Sequence, residues 1–236
     1  MKPEQKILAD SASLIDAAAE HFVAAARAAI AKRGVFHVAL AGGSTPKGLY
    51  QKLATSPYME QIDWARVNLF FGDERCVLPT HADSNFKMVR EAMIDRLPIP
   101  HKNVHRMPTE EGVAPDVAIR YGRKMQEVLA DAPLDLVLLG LGSDGHIASL
   151  FPETAALEVV DAMTTSVYVE KFDSWRVTMT YPVINTARQV IVFIAGQAKA
   201  DIVKDITTGA VQGLPVQRLD PQGEYYWFMD AAAAGQ

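Results

Sequence analysis

The sequence predicts an α/β protein: a mostly parallel sheet with helices on both faces, arranged as a three-layer sandwich. Three observations predict it. Short runs dominated by apolar residues, such as 67–71, 134–139 and 190–195, have the length and composition of strands buried on both faces. Longer segments with helical periodicity alternate with them. Polar, glycine-bearing turns recur just after the apolar runs, where parallel strands line up their carboxyl ends on one edge.

Taken in order, 11–32 reads as an Ala-rich amphipathic helix with Leu14, Ile15, Phe22, Val23 and Ile30 on one broad face. A strand follows at 35–40, and the turn Ala41-Gly-Gly-Ser-Thr-Pro46 leads into a helix over 46–55. The segment 67–71 is a second buried strand, ending in the turn Gly72-Asp-Glu-Arg75. A helix is expected over 84–96, capped by Asp83 or Ser84, then a short strand at 104–107 and a helix over 114–130. The strand 134–139 comes next, and 166–170 and 176–180 have the character of strands near a sheet edge. The pattern closes with a strand at 190–195, a helix over 197–207 and a strand at 224–229.

Composition bounds the function. Of 236 residues 49% are hydrophobic and 22% charged, enough to bury a sizeable core. With no low-complexity tract, internal repeat or charge run, one domain over 1–236 is expected. Net charge is −5 and the basic residues are scattered, which argues against nucleic acid as a partner but leaves room for an anionic small ligand. The single cysteine, Cys76, fits a reducing compartment and reads as an inert thiol. The N-terminal segment lacks the apolar core of a signal peptide and no apolar run is long enough for a bilayer. A cytoplasmic protein without membrane association is the expectation.

Four turns carry candidate chemistry. In the first, Gly42 and Gly43 admit a ligand close to the backbone, Ser44 or Thr45 can cap the helix, and Pro46 suits its first position. Such a helix start favours an anion, typically phosphate. In the second, Asp73 and Glu74 precede Arg75; the triplet suits substrate holding or charge stabilisation, and equally a surface ion pair. The third, Gly140-Leu-Gly-Ser-Asp-Gly-His146, delivers Asp144 and His146 together. A carboxylate beside a histidine orients it and steadies its imidazolium form, which suits a general base. Equally, Asp144 could cap a following helix with His146 packed in its first turn. No second His or Cys at ligand spacing supports zinc, and no Gly-x-Ser-x-Gly elbow supports a serine hydrolase. The fourth contribution is cationic, Arg176 and Lys199. His21, His37, His81, His101 and His105 lack comparable company and read as structural.

Together these residues resemble the 6-phosphogluconolactonase family in its bacterial-type α/β form. The resemblance runs in order through Ala41-Gly-Gly-Ser-Thr-Pro46 with Tyr50, Phe71-Gly-Asp-Glu-Arg75 and Asp83-Ser-Asn85. It continues in Gly140-Leu-Gly-Ser-Asp-Gly-His146 with Ser149-Leu-Phe-Pro152, Arg176-Val-Thr-Met-Thr180 and Lys199, covering about 35–205. It implies a Rossmann-like sheet shared with glucosamine-6-phosphate deaminase and ribose-5-phosphate isomerase A. It also implies hydrolysis of 6-phospho-D-glucono-1,5-lactone to 6-phosphogluconate. A lactone carbonyl is already strained, so water, one base and oxyanion stabilisation suffice, with no metal or cofactor. The implied roles are His146 as base held by Asp144, and Arg75 on the oxyanion or the substrate. Gly42, Gly43, Ser44, Thr45, Lys199 and Arg176 would serve the phosphate, and Asp73 the sugar hydroxyls.

Two alternatives remain. An amino-sugar-phosphate deaminase on the same fold would carry Asn-Glu-Pro where this chain has Leu150-Phe151-Pro152, and typically an aromatic residue in place of Arg75. A sugar-phosphate-sensing regulatory module would need a DNA-binding segment, and no basic recognition helix is evident.

Overall fold

The computed structural model describes residues 2–236. Along the chain run β1 (Glu4–Leu8), α1 (Ser11–Arg33), β2 (Phe36–Leu40), α2 (Ser44–Leu53), β3 (Val67–Phe71), β4 (Asp73–Arg75), α3 (Asn85–Ala92) and β5 (Val104–His105). Then come α4 (Ala114–Leu129), β6 (Leu136–Gly140), β7 (Thr164–Val169), β8 (Ser174–Met179), α5 (Tyr181–Thr186), β9 (Gln189–Ile194), α6 (Ala200–Thr208) and β10 (Glu224–Asp230).

Seven strands form one sheet in the order β1-β10-β9-β6-β2-β3-β5, and every pairing in it is parallel. Its middle strands are apolar because both faces are covered: all five residues of β2 are buried, as are the first four of β6. Helices α1, α2 and α3 pack in sequence against one another, and α4 lies on β7 and β8. The Tyr121 hydroxyl of α4 reaches the main sheet, accepting from Phe71 N at 2.9 Å and donating to His105 O at 3.0 Å.

The strand order fixes where a ligand can sit. From β2 the chain builds outward through β3 to β5, then returns to the other side of β2 for β6, β9 and β10. The order reverses between β2 and β6, and in open α/β sheets the crevice beyond such a reversal is the binding place. Register brings the carboxyl ends level, with Leu40 beside Phe71 and Gly140 beside Phe193.

Several expectations are corrected. Segments 166–170 and 176–180 are strands, as expected, but as β7 and β8 they join β4 in a separate antiparallel sheet of order β4-β8-β7, with β7 at an edge and β8 in the middle. Residues 73–75, expected as part of a turn, are β4 itself. Gly72 is the hinge between the sheets, donating to Leu40 O and accepting from Met179 N. The expected helix 84–96 stops at Ala92, because Met93 (φ −139°, ψ −51°) leaves helical geometry and a 3-10 turn over Ile94–Arg96 runs into Pro98. The expected strand 104–107 shrinks to two residues. Two elements carried too little pattern to foresee: β1, an edge strand with no apolar run, and α5, six residues long.

Candidate active site

Four of the main-sheet strands, β9, β6, β2 and β3, are adjacent and release their turns onto the same edge. After β2, Gly42 and Gly43 line a cleft of about 230 Å³, together with Asp73, Arg75, His146, Arg176 and Lys199. The Tyr50 hydroxyl holds this first turn, bonding both the N–H and the carbonyl of Ala41 at 2.9 Å. Helix α2 begins at Ser44 with Gly43 as its cap and no side-chain cap bond. Neither Ser44 nor Thr45 therefore caps the helix, and Pro46 sits in its third position. Ser44 is exposed, and neither hydroxyl residue lines the cleft.

After β6 no helix follows, so Asp144 cannot be a helix cap. The loop turns tightly instead, and the His146 Nδ1 makes a short hydrogen bond to Asp144 Oδ1. That fixes the ring's orientation and leaves Nε2 as the nitrogen available for chemistry. Gly142 is required here by space: a Cβ at this position would lie 2.0 Å from His146 Nδ1 and 2.7 Å from Asp144 Oδ1. Beneath the imidazole lies Phe151, stacked with ring centres 4.1 Å apart. Lys171 approaches the other Asp144 oxygen at 3.4 Å. Burial alone would raise the Asp144 carboxyl, but the hydrogen bond and charge of His146 outweigh it, so its pKa lies below the ordinary value.

Across the cleft, β4 and β8 place Arg75 and Arg176 as direct cross-strand partners. Like charges so placed repel one another. Each has a buried Nε without a hydrogen-bond partner among the described residues. Arg75 Nη1 donates to Asp83 O at 2.6 Å. Arg176 is 9% exposed, and burial, with Arg75 nearby, holds its pKa below the usual value. Lys199, at the start of α6, is lowered as well, by burial first and by Lys171, against the opposing pull of Asp144. A cleft lined by arginines whose buried Nε atoms lack partners among the described residues is built for an anion.

The acid pair divides its work. Glu74 is 2% exposed and accepts from the backbone N–H groups of Arg75, Asn85 and Phe86 and from the Ser84 hydroxyl. It anchors the start of α3, and is no surface ion pair; burial raises its pKa in spite of those bonds. Asp73 Oδ2 accepts from Ser149 Oγ at 2.6 Å and Oδ1 from Asn85 Nδ2 at 3.1 Å, tying β4 to the histidine loop and to α3. Gly42 is equally constrained, since a Cβ would meet Asn85 Oδ1 at 2.1 Å. Sequence reasoning placed Ser149 and Asn85 within the matching motifs but gave them no role, because nothing local signals a partner 76 or 12 residues away. A wider cavity of about 730 Å³ adjoins the site through Asp144 and Phe151, but holds neither His146 nor an arginine. His146, the two arginines and Lys199 therefore meet in the smaller cleft. Cys76 is half-buried, and burial pushes its thiol up to about 11, in keeping with an inert thiol. No group of three or more His, Cys, Asp or Glu side chains among the described residues is placed to hold a metal ion.

The chain is similar in sequence and in fold to known proteins. A 6-phosphogluconolactonase from Nostoc sp. is 39% identical, covering 100% of this chain and 99% of that protein. The structure of a 6-phosphogluconolactonase from Trypanosoma cruzi superposes with TM-score 0.88 at 29% identity, over 100% of this chain and 97% of that one. A monomeric glucosamine-6-phosphate deaminase shares the fold at TM-score 0.83 and 19% identity, over 100% of this chain and 99% of that one. The family model for glucosamine-6-phosphate isomerases/6-phosphogluconolactonase matches residues 9–227, and with relatives this similar over their whole length, the chain belongs to that family.

Proposed function

We propose that this protein hydrolyses 6-phospho-D-glucono-1,5-lactone to 6-phosphogluconate, the second step of the oxidative pentose phosphate pathway. The observation that carries the reading is the Asp144–His146 pair facing Arg75 and Arg176 across one cleft. The lactonase relatives support the same substrate.

In this mechanism His146 Nε2 takes a proton from water as the oxygen attacks C1 of the lactone. Asp144 holds Nδ1–H and steadies the imidazolium, a contribution of about 10²–10⁴-fold for general-base assistance. An arginine donor stabilises the tetrahedral oxyanion, an effect of order 10²–10³-fold for one well-placed group. Collapse breaks the C1–O5 bond, and the ring oxygen recovers the proton from His146. The Gly42 and Gly43 amides, Lys199 and the second arginine serve the phosphate, while Ser44 and Thr45, which lie outside the cleft lining, shape the start of α2 beside it. Asp73 uses two of a carboxylate's roughly four acceptor positions on Ser149 and Asn85, leaving capacity for a sugar hydroxyl. The reaction needs no metal or cofactor.

A deaminase would need an acid where the chain has Phe151, and that place is filled by an apolar ring under His146. One domain over 1–236 belongs to this reading, supported by Gly72 bonding into both sheets. So do a small-molecule substrate rather than nucleic acid and a cytoplasmic site of action. No helix among the described residues is long and apolar enough to cross a membrane.

The test is a coupled assay on freshly made 6-phosphogluconolactone, following 6-phosphogluconate above the spontaneous rate. Ammonia release from glucosamine 6-phosphate is measured in parallel. Rapid lactone hydrolysis without ammonia is expected; ammonia without lactone hydrolysis would overturn the assignment.

A further inference from the structure

We propose that Phe151 is a positioning residue for the hydrolytic step, a ring that sets the general base, His146, from beneath. The inference rests on the hydrolase reading above. After His146 the chain doubles back on itself: Ile147 and Leu150 form an isolated antiparallel bridge, and Leu150 N donates to Ile147 O at 2.9 Å. The corner is Ala148, in the left-handed region at φ 47°. A non-glycine residue pays for that conformation, so the turn is held by its surroundings. Ser149 supplies the hold, bonding Asp73 through its hydroxyl and Thr178 Oγ1 through its N–H.

The return of the chain slides Phe151 under the imidazole, with ring centres 4.1 Å apart and planes inclined by 24°. The Arg176 guanidinium lies 5.7 Å from the centre of the same ring and 5.0 Å from that of Phe172, at the tip between β7 and β8. Phe172 in turn meets Phe151 edge-on at 6.0 Å. Phe151 is 4% exposed and does not line the 230 Å³ cleft, so it acts through its neighbours and not on substrate.

The face of an aromatic ring is negative and attracts a cation lying over it. His146 is neutral before it takes the proton from water and cationic afterwards. The attraction from Phe151 therefore grows as the proton arrives, the condition for an interaction to accelerate the step. The flat ring also fixes the plane in which Nε2 points, while Asp144 fixes the other nitrogen. A leucine or methionine of similar bulk fills the space but supplies neither the plane nor the charge distribution.

Steady-state kinetics of Phe151→Leu, Phe151→Met and Phe151→Tyr, each checked for an intact thermal transition, test the idea on the whole protein. The Leu and Met variants are expected to lose about tenfold or more in kcat with KM within about twofold, while Tyr, which keeps the ring face, retains most of the rate. The second readout is Phe151→Leu combined with His146→Ala, which should be no slower than His146→Ala alone. Unchanged kcat in the Leu and Met variants would overturn the proposal. So would a loss confined to KM, or a loss that adds in full to that of His146→Ala. Wild-type lactone hydrolysis tests the underlying reading separately.

Discussion

At the scale of the residue, the histidine carries the sharpest expectation. His146→Ala should lower kcat by about 10²–10⁴-fold while 6-phosphogluconate still binds, measured by turnover and by product titration. Near-normal turnover would remove the base assignment. Asp144 and His146 were legible in the sequence because both lie in one turn, two residues apart. The arginine pair was legible only as two isolated cations, since Arg75 and Arg176 meet through strand pairing that no local pattern encodes. The stacking of Phe151 under His146 was hidden for a similar reason, depending on a left-handed turn at a residue, Ala148, whose identity does not announce one.

At the scale of the element, the site is held by links between segments and not by any one of them. Ser149 is fully buried and its hydroxyl is the donor to Asp73 Oδ2. Ser149→Ala leaves that carboxylate oxygen buried without a donor, at a cost of about 1–3 kcal/mol in unfolding free energy, read from urea denaturation. A variant as stable as wild type would show that the strut carries no load. The buried strands β2, β3, β6 and β9 were readable from composition, because coverage on both faces selects apolar residues throughout. The second sheet was not. Its strand β4 is only three residues long and polar, and its charged side chains are tolerated because they bond across to α3 and the histidine loop.

At the scale of the whole molecule, stability should depend on pH through the buried His37 and His105 and the half-buried His21. Burial lowers the pKa of His105 to about 4 and shifts His21 and His37 down too. Between the folded and unfolded values the unfolded chain binds more protons, so stability rises with pH across that window. It is fully present above the ordinary histidine value of 6.5 and is lost as pH falls toward 4. Thermal melts from pH 7.5 down to 4 should show a falling midpoint, and His105→Asn a flatter curve. A wild-type midpoint that does not fall would contradict the burial of these rings. Their positions at the start of β2, the end of β5 and within α1 follow from the fold; the sequence marked them as structural without saying where.

The adjacent guanidiniums of β4 and β8 have a consequence for handling the protein in solution. Their mutual repulsion is relieved by any small oxyanion that settles between them, so the folded state gains stability as RT ln(1 + c/Kd), rising with the anion concentration c. Melting should shift upward in phosphate relative to chloride at matched ionic strength, and Arg176→Met should abolish the difference. The same occupancy would compete with substrate, so rates measured in phosphate buffer should fall below those in a non-coordinating buffer.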